Sequence, residues 1–396
     1  MMVLHRLRIA LGASMLILAS CATTGPGNGN LSFEDAGDTM LLDASPLIAG
    51  EKLLDLSSID VLEMSPEMTA FVDDHVPSGM SPPTRLKILL RAVVGGDEFE
   101  LVYDDSTRTA SETFNARHGN CLSFTNLFIA FARHLGLDAS YQEVEIDPDW
   151  SLTGESFLLN QHVNVFIDFR HSAERVVDFN FSYDPTIEYD FKHIYEKTVV
   201  SDARARAHYF NNLGAEFMLQ GRDTPQVFSY FLESLTSDDS FAAAWTNLGI
   251  LYRREGYPDY AEAAYLRALT ADPNNMVAMS NLASLYEQME RAREAERYRE
   301  RVTHHRMKNP YYRYALARNE AIEGNFSSAR KHLRYAIGKR KTESRFHALM
   351  GVSYALDGNR AAAQRWMARA TDLASNEAEK KHFSQKLDRL MSLVEE

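Results

Sequence analysis

The stretch RHGNCLSFTNLFIAFARHLGL, residues 117–137, decides how the first half of the chain folds. Leu122, Phe124, Leu127, Phe128, Phe131 and Leu135 recur at helical spacing, and Gly136 follows directly as a stop signal, so 121–135 reads as a buried helix. Gly119 and Asn120 precede it, which places Cys121 in its first turn. Three strand candidates follow, at 139–146, 162–169 and 174–180. An insert at 147–159 precedes the second, and the polar connection 170–173 separates the second from the third. Upstream, 47–56, 66–76 and 85–94 carry helix-like patterns. A helix placed before its sheet defines an α+β unit.

Cys121, His162 and Asp178 are the residues of this unit that could carry chemistry. Aligned backbone dipoles at a helix N-terminus favour negative charge, which a thiol nucleophile needs. His162 opens the second strand, in QHVNVFIDF. Alternation there puts Val163, Val165, Ile167 and Phe169 on one face and His162, Asn164 and Asp168 on the other, so His162 is expected to face away from the buried side. Asp178, in RVVDFN, sits between apolar neighbours and wants a partner that an imidazole N–H would supply. Taken singly, each has an ordinary role: a buried Cys packs as a small hydrophobe, a strand His is hydrogen-bonded, an Asp closes a turn. His118 and His134 compete as the base, but one is too near Cys121 along the chain and the other lies at the far end of the same helix.

These three segments in this order resemble the transglutaminase-like superfamily of papain-type folds, over roughly 45–200 and most closely over 113–185. The resemblance implies Cys121 as nucleophile, His162 as general base and later acid, and Asp178 as the group that orients it. It also implies the Cys121 backbone N–H as one oxyanion donor. The aromatic residue that often follows the family's His is replaced here by Asn164 and Val165.

Beyond residue 200 the pattern changes to a repeat. Trp245, Leu248, Gly249, Tyr252, Ala261, Tyr265, Ala268 and Pro273 match the 34-residue tetratricopeptide consensus of large and small positions that let paired helices interlock. Later copies carry Leu282, Ala283, Tyr286 and Ala295, then Leu316, Ala317, Gly324 and Ala329, then Met350, Gly351, Tyr354 and Ala363. A degraded first copy starts near Ala207. The fold class expected is therefore an α+β papain/transglutaminase-like domain followed by an all-α tetratricopeptide solenoid of about five repeats at 207–377, with a capping helix at 378–396. Arg and Lys between 291 and 341 alternate with Glu at helical spacing, which suits a solvated face.

The N-terminal 21 residues have a basic start at Arg6 and Arg8, an apolar run and small residues before Cys21, the signature of a secretory signal. The run is shorter than the roughly 20 residues a spanning helix needs. Leu18-Ala19-Ser20-Cys21 resembles the lipobox of bacterial lipoproteins, which implies lipidation of Cys21. Ala22 after it implies the periplasmic face of a Gram-negative outer membrane. Residues 22–44 read as a flexible tether and 45–200 as the catalytic unit. With Cys21 lipidated, Cys121 has no disulfide partner within the chain.

A formal charge of -13 argues against general nucleic-acid binding. No cofactor is expected, and the histidines lack zinc-site spacing. Two functions remain: a thiol enzyme acting on peptide or amide bonds, with the repeats recruiting a protein partner or substrate, or a noncatalytic peptide-binding scaffold with a vestigial triad.

Overall fold

The computed structural model describes residues 40–385 apart from 44, 49, 51, 95–98, 147–151, 154–155, 158–161, 170–174, 178–193, 375–379 and 384. Its first half is built on a helix that Asn120 caps. Helices α1 (Pro66–His75), α2 (Pro82–Val94) and α3 (Ala110–Ala116) precede the central α4 (Cys121–His134). Ser65 caps α1, and Thr109 with Glu112 forms a reciprocal capping box on α3. Two short strands, β1 (Val102–Tyr103) and β2 (His118–Gly119), pair in parallel just before α4.

Behind α4 stands an antiparallel sheet in the order β7-β6-β3-β8, formed by β3 (Asp138–Ile146), β6 (His162–Asp168), β7 (Arg175–Val177) and β8 (Ile194–Val200). Strands β4 (Leu152–Thr153) and β5 (Ser156–Phe157) make a separate hairpin. Tyr141 lies opposite Val165, and Val144 opposite His162. Val163, Val165 and Ile167 are buried in the same core as Phe124, Phe128 and Phe131, as the alternation requires. Each of those rings contributes roughly 1.5–3 kcal/mol by leaving water. Phe71, Phe99, Phe114 and Phe131 extend the core as a ring cluster, with neighbouring centroids 5.0–6.0 Å apart.

Among the described residues, the second half holds five helix pairs. They are α5 (Asp202–Leu219) with α6 (Thr224–Ser237), α7 (Ala242–Arg254) with α8 (Pro258–Ala271), and α9 (Met276–Gln288) with α10 (Ala292–Arg306). After these come α11 (Pro310–Ile322) with α12 (Phe326–Lys339), and α13 (Ser344–Leu356) with α14 (Arg360–Leu373). Glycine on the first helix admits a large side chain from the second. A Cβ at Gly249 would lie 2.6 Å from the Tyr265 ring, and one at Gly214 would lie as close to Phe231. Interlock of this kind is what the large and small consensus positions encode.

Helix α5 belongs to both halves. Ala205, Tyr209 and Phe210 complete the core beneath α4, whereas Ala207 and Met218 enter the repeat core. This double duty explains why α5 starts at Asp202, five residues before the first repeat expected at 207, and runs 18 residues.

Three features differ from expectation. The described residues of 47–56 are not helical, because Gly50 takes φ +82° and turns the chain. Leu41 and Leu47 are buried with Phe228, Trp245 and Tyr252 in the repeat core, and the Tyr252 hydroxyl bonds to Leu41 O and Ser45 Oγ at 2.6 and 2.7 Å. Leu41 thus belongs to the folded body and not to a tether, and Leu47 serves the repeats and not the catalytic unit, because burying both against repeat aromatics outweighs leaving them in water. Strand β8, which the sequence pattern did not single out, adds an edge to β3. Of the capping segment, Phe383 packs on Ala348, Met367 and Ala370, and most of the remainder lies outside the described residues.

Candidate active site around Cys121

Cys121 is a free, half-buried thiol at the first position of α4. Asn120 caps that helix, with Oδ1 accepting from the Ser123 N–H at 3.0 Å. Gly119 is required here, since a Cβ would fall 2.5 Å from Ser123 Cβ. The loop 104–108 wraps the same helix end. Asn120 N donates to Ser106 O at 3.0 Å, and Arg108 N to Ser123 Oγ at 2.9 Å. Asn126 Nδ2 donates to Arg108 O at 3.2 Å and its Oδ1 accepts from the Tyr141 hydroxyl at 2.8 Å, which ties loop, helix and sheet together.

Tyr103 pairs with Gly119 across the short parallel bridge. Burial pushes its phenol well above the usual range, and negative charge at Cys121 and Asp105 adds to this, so it remains a neutral hydroxyl beside the thiol. Burial works against the Asp104 carboxylate, but Arg108, 3.0 Å away, and the Ser106 N–H hold it below the usual range. Sequence reading missed both Tyr103 and the capping loop. Asn120 directly before an apolar run was the one available signal, a helix-start residue.

His162 is the first residue of β6, opposite Val144. Thr125 Oγ1 donates to Val163 O at 3.1 Å, while Arg133, a turn from the other end of α4, donates to Ala139 O at 2.9 Å. Helix α4 therefore runs with its first turn at the end of the sheet where β6 begins, which brings the backbones carrying Cys121 and His162 to one end of the layer. Val177 pairs with Val165. Asp178, the third residue expected at the site, lies outside the described residues, as does Cys21.

Of the rivals for the base, His134 Nε2 is engaged with Asp73 Oδ1 at 2.8 Å, and His118 is exposed. Asn164, expected on the open face of β6, is fully buried, and neither its Oδ1 nor its Nδ2 is hydrogen-bonded. Both faces of the strand are therefore covered at that point. Its cross-strand neighbour Gln142 is also buried with Oε1 unbonded, leaving a polar pair two residues along from His162. Among the described residues no cluster of His, Cys, Asp and Glu could hold a metal ion, and no helix is long and apolar enough to cross a membrane.

Residues 80–168 match the transglutaminase-like superfamily core, and 242–275 and 278–311 each match a tetratricopeptide repeat. The chain thus carries a transglutaminase-like core followed by tetratricopeptide repeats, a pairing that points to interaction with proteins. No curated protein matches it. Similar solved structures include PilF of Pseudomonas aeruginosa, at 15% identity and TM-score 0.28, covering 48% of this chain and 87% of that one. Others are MamA of Desulfovibrio magneticus, at 14% identity and TM-score 0.24 over 42% and 94%, and the tetratricopeptide protein YrrB, at 20% and 0.26 over 46% and 92%.

Proposed function

We propose that this chain is an envelope lipoprotein, anchored through Cys21, whose transglutaminase-like domain attacks peptide or amide bonds with Cys121 while the repeats recruit the protein substrate. The observation that carries the reading is the free, half-buried Cys121 in the capped first turn of α4, at the end of the layer where His162 begins β6.

In this scheme His162 takes the thiol proton and Cys121 Sγ bonds to the substrate carbonyl carbon. The C–N bond breaks as the imidazolium returns its proton to the leaving amine. Water or a second amine, deprotonated by the same imidazole, then attacks the thioester carbonyl; the C–S bond breaks, the imidazolium returns its proton to the Cys121 sulfur, and an acid or a new amide is released. Asp178 orients the imidazole, and the Cys121 N–H stabilises the oxyanion. Water as acceptor makes the protein a hydrolase, and an amine makes it a transferase.

Comparing envelope proteins from cells carrying the wild-type chain and Cys121→Ala tests the reading. A fragment or a cross-linked species that disappears in the variant is the expected result. Identical protein patterns, with both chains present in equal amount, would favour the scaffold alternative, in which the repeats bind their partner and the thiol is idle.

A further inference from the structure

We propose that Glu216, on the first repeat helix, is a positioning residue for the Cys121 nucleophile, acting through Thr107 and the helix cap Asn120. The inference rests on reading Cys121 as the nucleophile and adds to it a dependence on the repeat array.

The bonds form one directed path. Glu216 Oε1 accepts from Thr107 N at 2.9 Å and from Thr107 Oγ1 at 2.5 Å. With its single proton committed to that carboxylate, Thr107 Oγ1 can only accept from Asn120, whose Nδ2 lies 2.8 Å away. That fixes the orientation of the Asn120 amide and leaves Oδ1 for the Ser123 N–H, the capping bond of α4. Without Glu216 the Thr107 hydroxyl is free to turn its proton toward Asn120, and the amide loses the constraint that presents Oδ1 to the helix. A misaligned cap disturbs the backbone N–H groups around Cys121, which stabilise a thiolate and would serve its oxyanion.

Glu216 is an unusual choice for an ordinary contact. Burial pushes its carboxyl above the usual range, against the Thr107 bonds and the charge of Arg108. A neutral side chain would fill this interface without that desolvation cost. At the far end of α4, Arg133 and Asp202 bridge the same two halves at 2.7 and 2.8 Å without touching the cap, and so provide an internal control.

The test is iodoacetamide alkylation of the full chain across pH, read at the Cys121 peptide by mass spectrometry, with circular dichroism confirming that each variant is folded. Glu216→Ala is expected to slow alkylation about three- to tenfold near neutral pH and to move the profile upward. Thr107→Val should behave likewise, Glu216→Gln should stay near wild type because its amide oxygen still accepts both bonds, and Asp202→Ala should leave the profile in place. A wild-type profile in Glu216→Ala or Thr107→Val overturns the proposal, as does equal slowing in Glu216→Gln or Asp202→Ala. Comparison with His162→Ala decides separately whether Cys121 is a nucleophile at all, since the Glu216 effect is read from the thiol and not from turnover.

Discussion

Glu143 on β3 and His208 on α5 meet at 2.6 Å across the junction between the sheet and the first repeat. Burial opposes the charged Glu143 carboxylate, but His208 and then Arg204 hold it below its usual range. A carboxyl whose pKa is lower in the folded chain stabilises the fold above its unfolded value and loses that contribution as pH falls through the folded one. Wild type should therefore unfold at a higher temperature than Glu143→Gln near neutral pH, and the gap should close below about pH 4. Thermal unfolding of both proteins across this range checks the sign. A gap that widens in acid would contradict it.

Asn120 separates stability from reactivity. Asn120→Ala removes the cap on α4 and should cost about 1 kcal/mol. Asn120→Asp keeps an accepting oxygen for the Ser123 N–H but sets a negative charge beside the thiol. It should keep the capping bond but lose the Nδ2 bond to Thr107 Oγ1, and slow Cys121 alkylation several-fold. Calorimetry and alkylation on the same preparations measure the two effects.

The repeat interlock gives a third prediction. Gly249→Ala forces a methyl against the Tyr265 ring and should cost about 1–3 kcal/mol. Because the two side chains share one space, adding Tyr265→Leu should cost less than the sum of the single changes, and denaturant unfolding of the four proteins gives the coupling. Strict additivity would mean that the close approach is not what Gly249 provides.

Much of this architecture is written in local pattern. The run from Asn120 to Gly136 carries its own start, apolar face and stop, and Trp245, Gly249, Tyr252 and Tyr265 carry the large and small alternation of a stacked helix pair. What stayed hidden depends on neighbours distant in sequence. Gly50 interrupts an otherwise helix-like 47–56, and Leu47 is claimed by the repeat core, so local periodicity misleads there. The edge strand IYEKTVV has exposed Lys197, Thr198 and Val199 and no sustained alternation to announce it. Alternation correctly placed Val163 and Val165 inside, yet burial of Asn164 on the opposite face depends on what covers the sheet. At the site, Cys121 was legible from its helix. The bond from Thr107 to Glu216 joins residues 109 apart and has no local signature.

The pairing of the Cys121 thiol with the His162 imidazole is the claim on which the enzymatic reading stands. Alkylation of Cys121 in slightly acidic buffer, in wild type and in His162→Ala, tests it most directly. A working pair predicts a rate at least about tenfold higher in wild type, because the imidazole takes up the thiol proton. Superimposable rates at every pH would contradict it and leave the chain a protein-binding scaffold.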